Sequence, residues 1–407
     1  MNLPFWIAKR YFFTRKKRSF ISWLSVLSML GVGVGTMALV IVLSVFNGME
    51  ELNRSIFKTF EADLTVTPKA GKRFTASPAL WATMRKTPGL ELITPVIQDN
   101  ALARYAGRQT VVRVKGVDNS YLKRRQLDSV LVEGRFYLLR NGVNYAIVGD
   151  GIRRDLGVSP EDILTPLELW YPNAKPGQKT LNLMSENAFN QQYLNVSGVF
   201  FIEAQYDNYV IAPIGVTREL VGYGPDEISR VEIQLKDTVD EEEAKLTLQD
   251  VLGDTFLVQT RDDLNKDLFR AIRIEKLFVT LTLAFIILIA SVNIFFSLSM
   301  LVIEKQENIK TLFAMGATRQ LVRRIFLAEG VIVAMTGAVT GLLLGLLICY
   351  LQEQFGFVKF GTQQTVIDAY PVKIEWGDIA VTGIVVTVFT ILTSWFPAQR
   401  AANIKFR

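Results

Sequence analysis

Histidine is absent from this 407-residue chain, and cysteine occurs once, at Cys349. Without histidine the usual general base and the commonest zinc ligand are missing. One cysteine builds neither a disulfide framework nor a Cys/His metal site, and Cys349 lies in an apolar run, where a thiol acts as a small hydrophobe. A phosphate-binding loop is missing too: Gly71-Lys72 is followed by Arg73 and lacks the upstream glycine spacing. Carboxylates are scattered along the middle of the chain without paired spacing. The chain therefore reads as no enzyme, with no cofactor or metal of its own, and any ATP-driven work would need hydrolysis by a separate subunit.

What is present is apolar residues, half of the sequence, and a net charge of +6 that is unevenly spread. Lys9, Arg10, Arg15, Lys16, Lys17 and Arg18 precede the first apolar run with no acid among them. Lys305, Lys310, Arg319, Arg323 and Arg324 face only Glu304 and Glu307 in a central link, and Arg400, Lys405 and Arg407 fall near the end. The remainder is acidic on balance. Such segregation argues against a nucleic-acid surface and for membrane topology set by the positive-inside rule, with both termini and the link cytoplasmic.

Four apolar runs fit this topology. Residues 1–20 form an N-terminal segment whose Leu3, Phe5, Trp6, Ile7, Tyr11, Phe12 and Phe13 suit a short helix at a lipid interface. Ile21 to Phe46 is uncharged over roughly 26 residues, or about 39 Å of helix against about 30 Å of hydrocarbon, and is read as an uncleaved first span. The others are 277–303, 325–351 and 379–396, with a short outer loop at 352–378 and a tail at 397–407. Gly31 and Gly35 in the first span, and Gly337, Gly341 and Gly345 in the third, are spaced four apart for close helix contact. Apart from Glu329 the spans hold no ionisable group, which disfavours an ion-coupled carrier. Stripes Met49, Leu52, Ile56, Phe60 and Leu264, Leu268, Ile272 predict amphipathic stalk helices at 47–60 and 264–276.

Between the stalks, residues 61–263 read as a mixed α/β domain outside the membrane. Strands are expected at 63–67, 110–115, 145–148, 167–171, 196–201, 208–211 and 230–235, and helices at 79–86, 151–156, 216–221 and 239–252. Pro172 to Tyr193 differs in texture: Pro, Gly, Asn and Gln surround Leu181, Leu183, Met184 and Phe189. It reads as a protruding hairpin, either a plain loop or a partner-binding arm.

The link at 304–324 organises the rest. Ile309, Leu312 and Phe313 make a one-sided apolar stripe among Glu304, Lys305, Glu307 and Lys310; Gly316 can cap that helix, and Thr318 can start the next. It is either an ordinary solvated loop or a docking helix for a cytoplasmic partner.

The motif Glu304-Lys-Gln-Glu-Asn-Ile with Leu312, Met315-Gly316-Ala317-Thr318 and Leu327-Ala-Glu329-Gly330 resembles the loop of FtsX/MacB-type ABC permeases. Phe20-Ile-Ser-Trp23-Leu-Ser, Gly35-Thr-Met-Ala-Leu39-Val, Leu43-Ser-Val-Phe-Asn47-Gly48, Ala290-Ser-Val-Asn293-Ile, Val302-Ile-Glu304-Lys305 and Pro397-Ala-Gln-Arg400-Ala-Ala extend the likeness over the whole chain. Together they resemble the lipoprotein-releasing LolC/LolE branch, although the tail ends at Asn403-Ile-Lys-Phe-Arg407 where relatives usually continue with Pro and an acidic residue. The resemblance implies a type VII ABC transporter of the inner membrane with four transmembrane helices and a large MacB-like periplasmic α/β domain. It implies a second permease subunit, identical or paralogous, and cytoplasmic ATPase subunits holding ATP and Mg and docked at Glu304, Lys305, Glu307, Ile309, Leu312, Phe313 and Gly316. It further implies lipoprotein cargo drawn from membrane lipid and passed to a periplasmic carrier. Pro172, Leu181, Leu183, Met184 and Phe189 stand where the LolC branch carries its hook for that carrier. An FtsX-like regulator of peptidoglycan hydrolases and a MacB-like drug or peptide efflux permease are the alternatives.

Overall fold

The computed structural model describes residues 3–13, 20–123, 130–173, 188–359 and 369–404. In chain order the elements are α1 (Leu3–Phe13), α2 (Phe20–Phe60), β1 (Leu64–Pro68), β2 (Phe74–Thr75), α3 (Pro78–Lys86), β3 (Leu90–Tyr105), β4 (Arg108–Val117), β5 (Leu131–Gly134), β6 (Leu139–Arg140), β7 (Val143–Gly149) and α4 (Asp150–Leu156). There follow β8 (Leu167–Pro172), β9 (Phe189–Phe200), β10 (Tyr209–Pro213), α5 (Ile214–Val221), β11 (Glu227–Ile228), β12 (Arg230–Leu235), α6 (Glu241–Leu252), β13 (Phe256–Thr260) and α7 (Arg261–Leu264). Last come α8 (Lys266–Glu304), α9 (Gln306–Ala314), α10 (Arg319–Phe355) and α11 (Trp376–Ala402). Two compact units result: a helical one, Met1–Leu52 with Asp267–Arg407, and a β-rich one, Asn53–Lys266.

In the helical unit α2, α8, α10 and α11 are each long and apolar enough to cross a membrane. Their shared core includes Leu39, Leu43, Ile287, Ile294, Leu298, Phe326 and Val386. Glycine sets the closest approach. A Cβ on Gly33 would lie 3.0 Å from the Gly337 carbonyl oxygen, and one on Gly341 would strike the Gly33 carbonyl, 2.8 Å from its carbon. Without side chains the α2 and α10 backbones touch, as dispersion between helices in lipid requires. Gly31 and Gly35 turn instead to α8, against Ala290 and Ile287, and Gly345 to Val40. The tail expected from 397 is helical as far as Ala402, with Pro397 inside α11 and Ala398, Ala401 and Ala402 buried. Proline removes one ladder donor there, and packing of the small residues holds the turn.

The β-rich unit has two lobes that share β3. In the first, β1, α3, β3, β12, α6 and β13 form a β-α-β-β-α-β unit whose sheet runs β13-β1-β12-β3, every neighbour antiparallel. That is the ferredoxin-like order. Met84 of α3 and Ala244 and Leu248 of α6 cover its core with Val66, Val231 and Val258. Ser77 caps α3 and Asp240 caps α6, each accepting from backbone N–H groups. Everything from β4 to β10 is inserted between β3 and β12.

That insertion closes on itself. The pairs β3–β4, β4–β10, β10–β7, β7–β9, β9–β8 and β8–β3 complete a six-stranded ring. Ala103, Val112, Val114, Ala146, Val148, Leu167, Leu169, Leu194 and Val210 pack in its core, with Ile152 of α4 and Leu220 of α5.

Candidate functional site

The link that joins α8 to α10 is built by three local rules. Lys305 breaks the helix at φ −93°, ψ 13°, and α9 starts after it. Gly316, at φ 91°, supplies the left-handed turn beyond α9. Thr318 then caps α10, its side chain accepting from the Leu321 N–H at 3.3 Å. Ile309 is wholly buried in the core of the same helical unit, and Phe313 packs beside it. It anchors α9 to its own bundle, so it offers nothing to an incoming protein. Leu312 is half-buried, whereas Glu304, Glu307, Asn308, Thr311 and Gly316 are exposed, as is Met315 at 80%. Glu307 accepts from Lys310 at 2.9 Å and Glu304 from Lys305 at 3.1 Å. The outward surface is therefore polar with one protruding thioether, a combination suited to a reversible protein contact.

Toward the opposite end of α8 a polar knot joins α2, α8 and α11. Lys276 donates to Asn47 Oδ1 at 2.7 Å and to Asp378 Oδ2 at 3.1 Å, and Asn47 Nδ2 donates to the same carboxylate at 2.7 Å. Close by, the Lys373 N–H bonds to the Ser44 carbonyl at 2.9 Å, and Gly48 lies so tight against the Pro371 carbonyl that no side chain fits. Asn47-Gly48 was legible as a motif; its partners Lys276 and Asp378 are distant in sequence and were missed.

The expected hairpin is rooted in the β8–β9 antiparallel pair, Pro172 opposite Phe189. Trp170 and Phe189 rings lie 5.9 Å apart. Leu181, Leu183 and Met184 lie outside the described residues. At its foot a groove of about 730 Å³ is lined by Lys72, Arg73, Asp99, Tyr171, Asn190 and Tyr223, among others. The Tyr171 hydroxyl donates to Asp99 at 2.8 Å, and burial first, then that carboxylate, pushes the phenol up. Arg73 sits 5.3 Å over the Tyr223 ring and 3.0 Å from Glu227. These contacts fix the ends of β8 and β9 at Pro172 and Phe189.

The last turn of α2 is set into the β-rich unit through Phe60, 2% exposed. Tyr206, Tyr209 and Phe200 surround its ring at 4.4, 4.8 and 5.9 Å, and the Lys115 ammonium lies 4.5 Å over it. Lys115 is itself buried, paired with buried Glu232 at 2.9 Å. Next to Phe60, Glu61 accepts from Tyr206 and Asn265, and burial is the main cause that holds its carboxyl above the ordinary range. Phe60 was expected on an amphipathic stripe; Lys115 and Glu232 carried no such signal, since each sits in a short β-run that reads as half-exposed. No group of three or more potential metal-ligating side chains occurs among the described residues.

Two families match the two parts of the chain: the MacB-like periplasmic core domain over residues 25–251 and the FtsX-like permease C-terminal region over 280–406. The chain belongs to this family of ABC permeases, whose members join a MacB-like periplasmic domain to an FtsX-like membrane region. Within it the chain is of the LolC/LolE type. It is 24% identical to the lipoprotein-releasing system transmembrane protein LolE of Haemophilus influenzae, covering 100% of this chain and 98% of that one. It is 25% identical to LolC of Neisseria meningitidis serogroup B over 99% of this chain and 97% of that one. The crystal structure of the periplasmic region of MacB from Actinobacillus actinomycetemcomitans aligns with 52% of the chain at 11% identity and a TM-score of 0.34.

Proposed function

We propose that this chain is the membrane subunit of an ATP-driven transporter that extracts lipoproteins from the inner membrane and hands them to a periplasmic carrier. The observation that carries this reading is the end-to-end match with LolE and LolC proteins, which covers both units and leaves no long segment unaccounted for on either side. Hydrolysis of ATP takes place on separate cytoplasmic subunits, which dock on the outward face of α9 around Glu307 and Met315. A second permease subunit completes the assembly. The termini and α9 lie on the cytoplasmic side, and the β-rich unit lies in the periplasm.

The energetic task shapes the machinery. At about 0.8 kcal/mol per methylene, each long acyl chain resists withdrawal by on the order of 10 kcal/mol. Force generated at α9 would pass up the helices, and α2 carries it without a break from Phe20 to Phe60, where Phe60 is locked among aromatic rings. Pro172, Phe189 and residues 174–187 between them are the proposed carrier contact. Co-expression with a LolCDE-type ATPase subunit and reconstitution into vesicles loaded with a triacylated lipoprotein tests the reading. ATP-dependent appearance of the lipoprotein on a soluble carrier is expected. ATP-dependent activation of a peptidoglycan hydrolase, or drug export without lipoprotein release, would replace it with an FtsX-like or MacB-like role.

A further inference from the structure

The helical unit carries an apolar slot of about 110 Å³, framed by Thr36 on α2, Met335, Ala338 and Val339 on α10, and Ile379 and Gly383 on α11. Threonine hydroxyls are the side-chain hydrogen-bond donors that line it, and all three are satisfied by their own helices. Thr36 Oγ1 donates to the Val32 carbonyl at 2.8 Å, Thr382 Oγ1 to that of Asp378 at 2.8 Å, and Thr387 Oγ1 to that of Gly383 at 2.7 Å. The slot therefore offers an incoming molecule no free hydroxyl and no charge. On the α11 side the wall is glycine, and a Cβ on Gly383 would meet no atom within 4 Å.

Its depth and its neighbours define what fills it. The slot runs from Ile379 to Thr387, about 12 Å along α11. That is less than half of a hydrocarbon core about 30 Å thick, so the slot lies within the leaflet in which α11 starts. Trp376, the first residue of α11, is 77% exposed, as suits an aromatic anchor at the membrane interface. Asp378, directly before the slot, has its carboxylate engaged by Lys276 and Asn47. The two helices that form the long walls are also the two least covered by protein: 28% of the most apolar stretch of α10 and 22% of that of α11 are buried, against 44% for α2 and for α8. Met335 and Val339 are each 45% exposed, so the slot opens outward, toward lipid.

We propose that this slot is a lipid site: it seats one acyl chain of a membrane phospholipid between α10 and α11, with Thr36 of α2 at its floor. An apolar cavity of about 150 Å³ stays dry and takes up a hydrocarbon the size of benzene. A slot somewhat smaller than that holds a stretch of a single chain, not the several chains of a triacylated lipoprotein. Because no cation lines it, the headgroup plays no part in selection, and phospholipids of different headgroup should occupy it alike. The seated chain touches three membrane helices at once and braces α11 against α10 and α2. This inference goes beyond the cargo reading and holds whatever the protein transports.

The test reconstitutes the full chain with phosphatidylethanolamine carrying a diazirine in its acyl chain, washes it into detergent, irradiates it and maps the adducts by mass spectrometry. Adducts on Met335, Val339 and Ile379 should survive the wash at several times the yield on Leu347 and Leu392, which are 50% and 63% exposed and lie outside the slot. Phosphatidylglycerol with the same chain should give the same pattern. Gly383→Leu, or Ala338→Leu from the opposite wall, should lower the slot adducts several-fold and leave those on Leu347 and Leu392 unchanged. Equal washout at every position of the native chain means ordinary boundary lipid and overturns the proposal, whether or not a filled variant folds; unchanged slot adducts in both filled variants overturn it too. Slot labelling by a diazirine-bearing lipoprotein but not by phospholipid would assign the slot to cargo instead. A disulfide between two copies through Gly383→Cys, in a chain with Cys349→Ala, would assign it to a second subunit, and either result overturns the lipid seat.

Discussion

Replacing Lys115 by methionine isolates what holds the end of α2 in place. The ammonium makes three contacts at once: the Glu232 carboxylate at 2.9 Å, the face of Phe60 at 4.5 Å and the face of Tyr121 at 4.8 Å. Methionine fills much of the same volume and keeps the apolar contact with both rings. It takes away the charge that balances Glu232, which is 4% exposed. Removing one partner of a buried pair typically costs about 3–5 kcal/mol, whereas exchanging both for apolar residues of like volume is often neutral. Loss of two cation–π contacts adds about 1–2 kcal/mol. Lys115→Met should therefore destabilise the β-rich unit by about 4–7 kcal/mol, and Lys115→Met with Glu232→Met should recover more than half of that. Hydrogen exchange on the full-length chain in detergent, followed at the amides of β4 and β12, reads these free energies directly. A single substitution that costs less than about 1 kcal/mol, or a double substitution as damaging as the single one, would refute the reasoning.

Three other outcomes follow from the packing. Gly341→Leu drives a side chain into the Gly33 backbone; it should destabilise the helical unit by about 1–3 kcal/mol or more in a detergent melting assay, while Leu342→Ala, beside it, costs less. Ile309→Asp places a charge in the core of the helical unit, so the protein should lose α9 protection in hydrogen exchange as well as ATPase coupling; Glu307→Lys should weaken ATPase binding alone, measured by co-purification. Because burial raises the Glu61 carboxyl above its ordinary 4.5, the folded β-rich unit binds that proton more tightly than the unfolded chain. Its stability contribution is present at low pH and lost as pH rises through the folded-state value, so melting temperatures from pH 4 to 8 should fall less steeply for Glu61→Gln than for the native chain.

Long-range pairing decides how much of this could be read beforehand. The four apolar runs, the glycine spacing and the turn at Gly316 are local signals, and the structure places helices or a left-handed turn at each. The ring of strands is not local: β8 finds β3 some sixty residues away, and nothing in Leu167–Pro172 says so. β3 was not among the expected strands: Pro95 and the polar run Gln98-Asp99-Asn100 interrupt its apolar alternation. Pro95 is tolerated where β3 pairs with β12 alone, since pairing with β4 begins only at Val96. At the link, the stripe of Ile309, Leu312 and Phe313 was visible, but an amphipathic pattern does not say which surface it covers. The structure turns Ile309 inward and leaves Glu307 and Met315 to face outward. Buried charge was the least legible feature, since Lys115, Glu232 and Glu329 look like surface residues until strands or helices are packed around them.

The proposed topology puts α9 and the β-rich unit on opposite sides of the membrane. In a chain with Cys349 replaced by alanine, a single cysteine is introduced at Met315 beyond α9, 80% exposed, or at Leu164 in the β-rich unit, 89% exposed, and intact spheroplasts are treated with an impermeant maleimide. Labelling of Leu164→Cys at once and of Met315→Cys only after permeabilisation is the expected result; equal labelling of both before permeabilisation would contradict it.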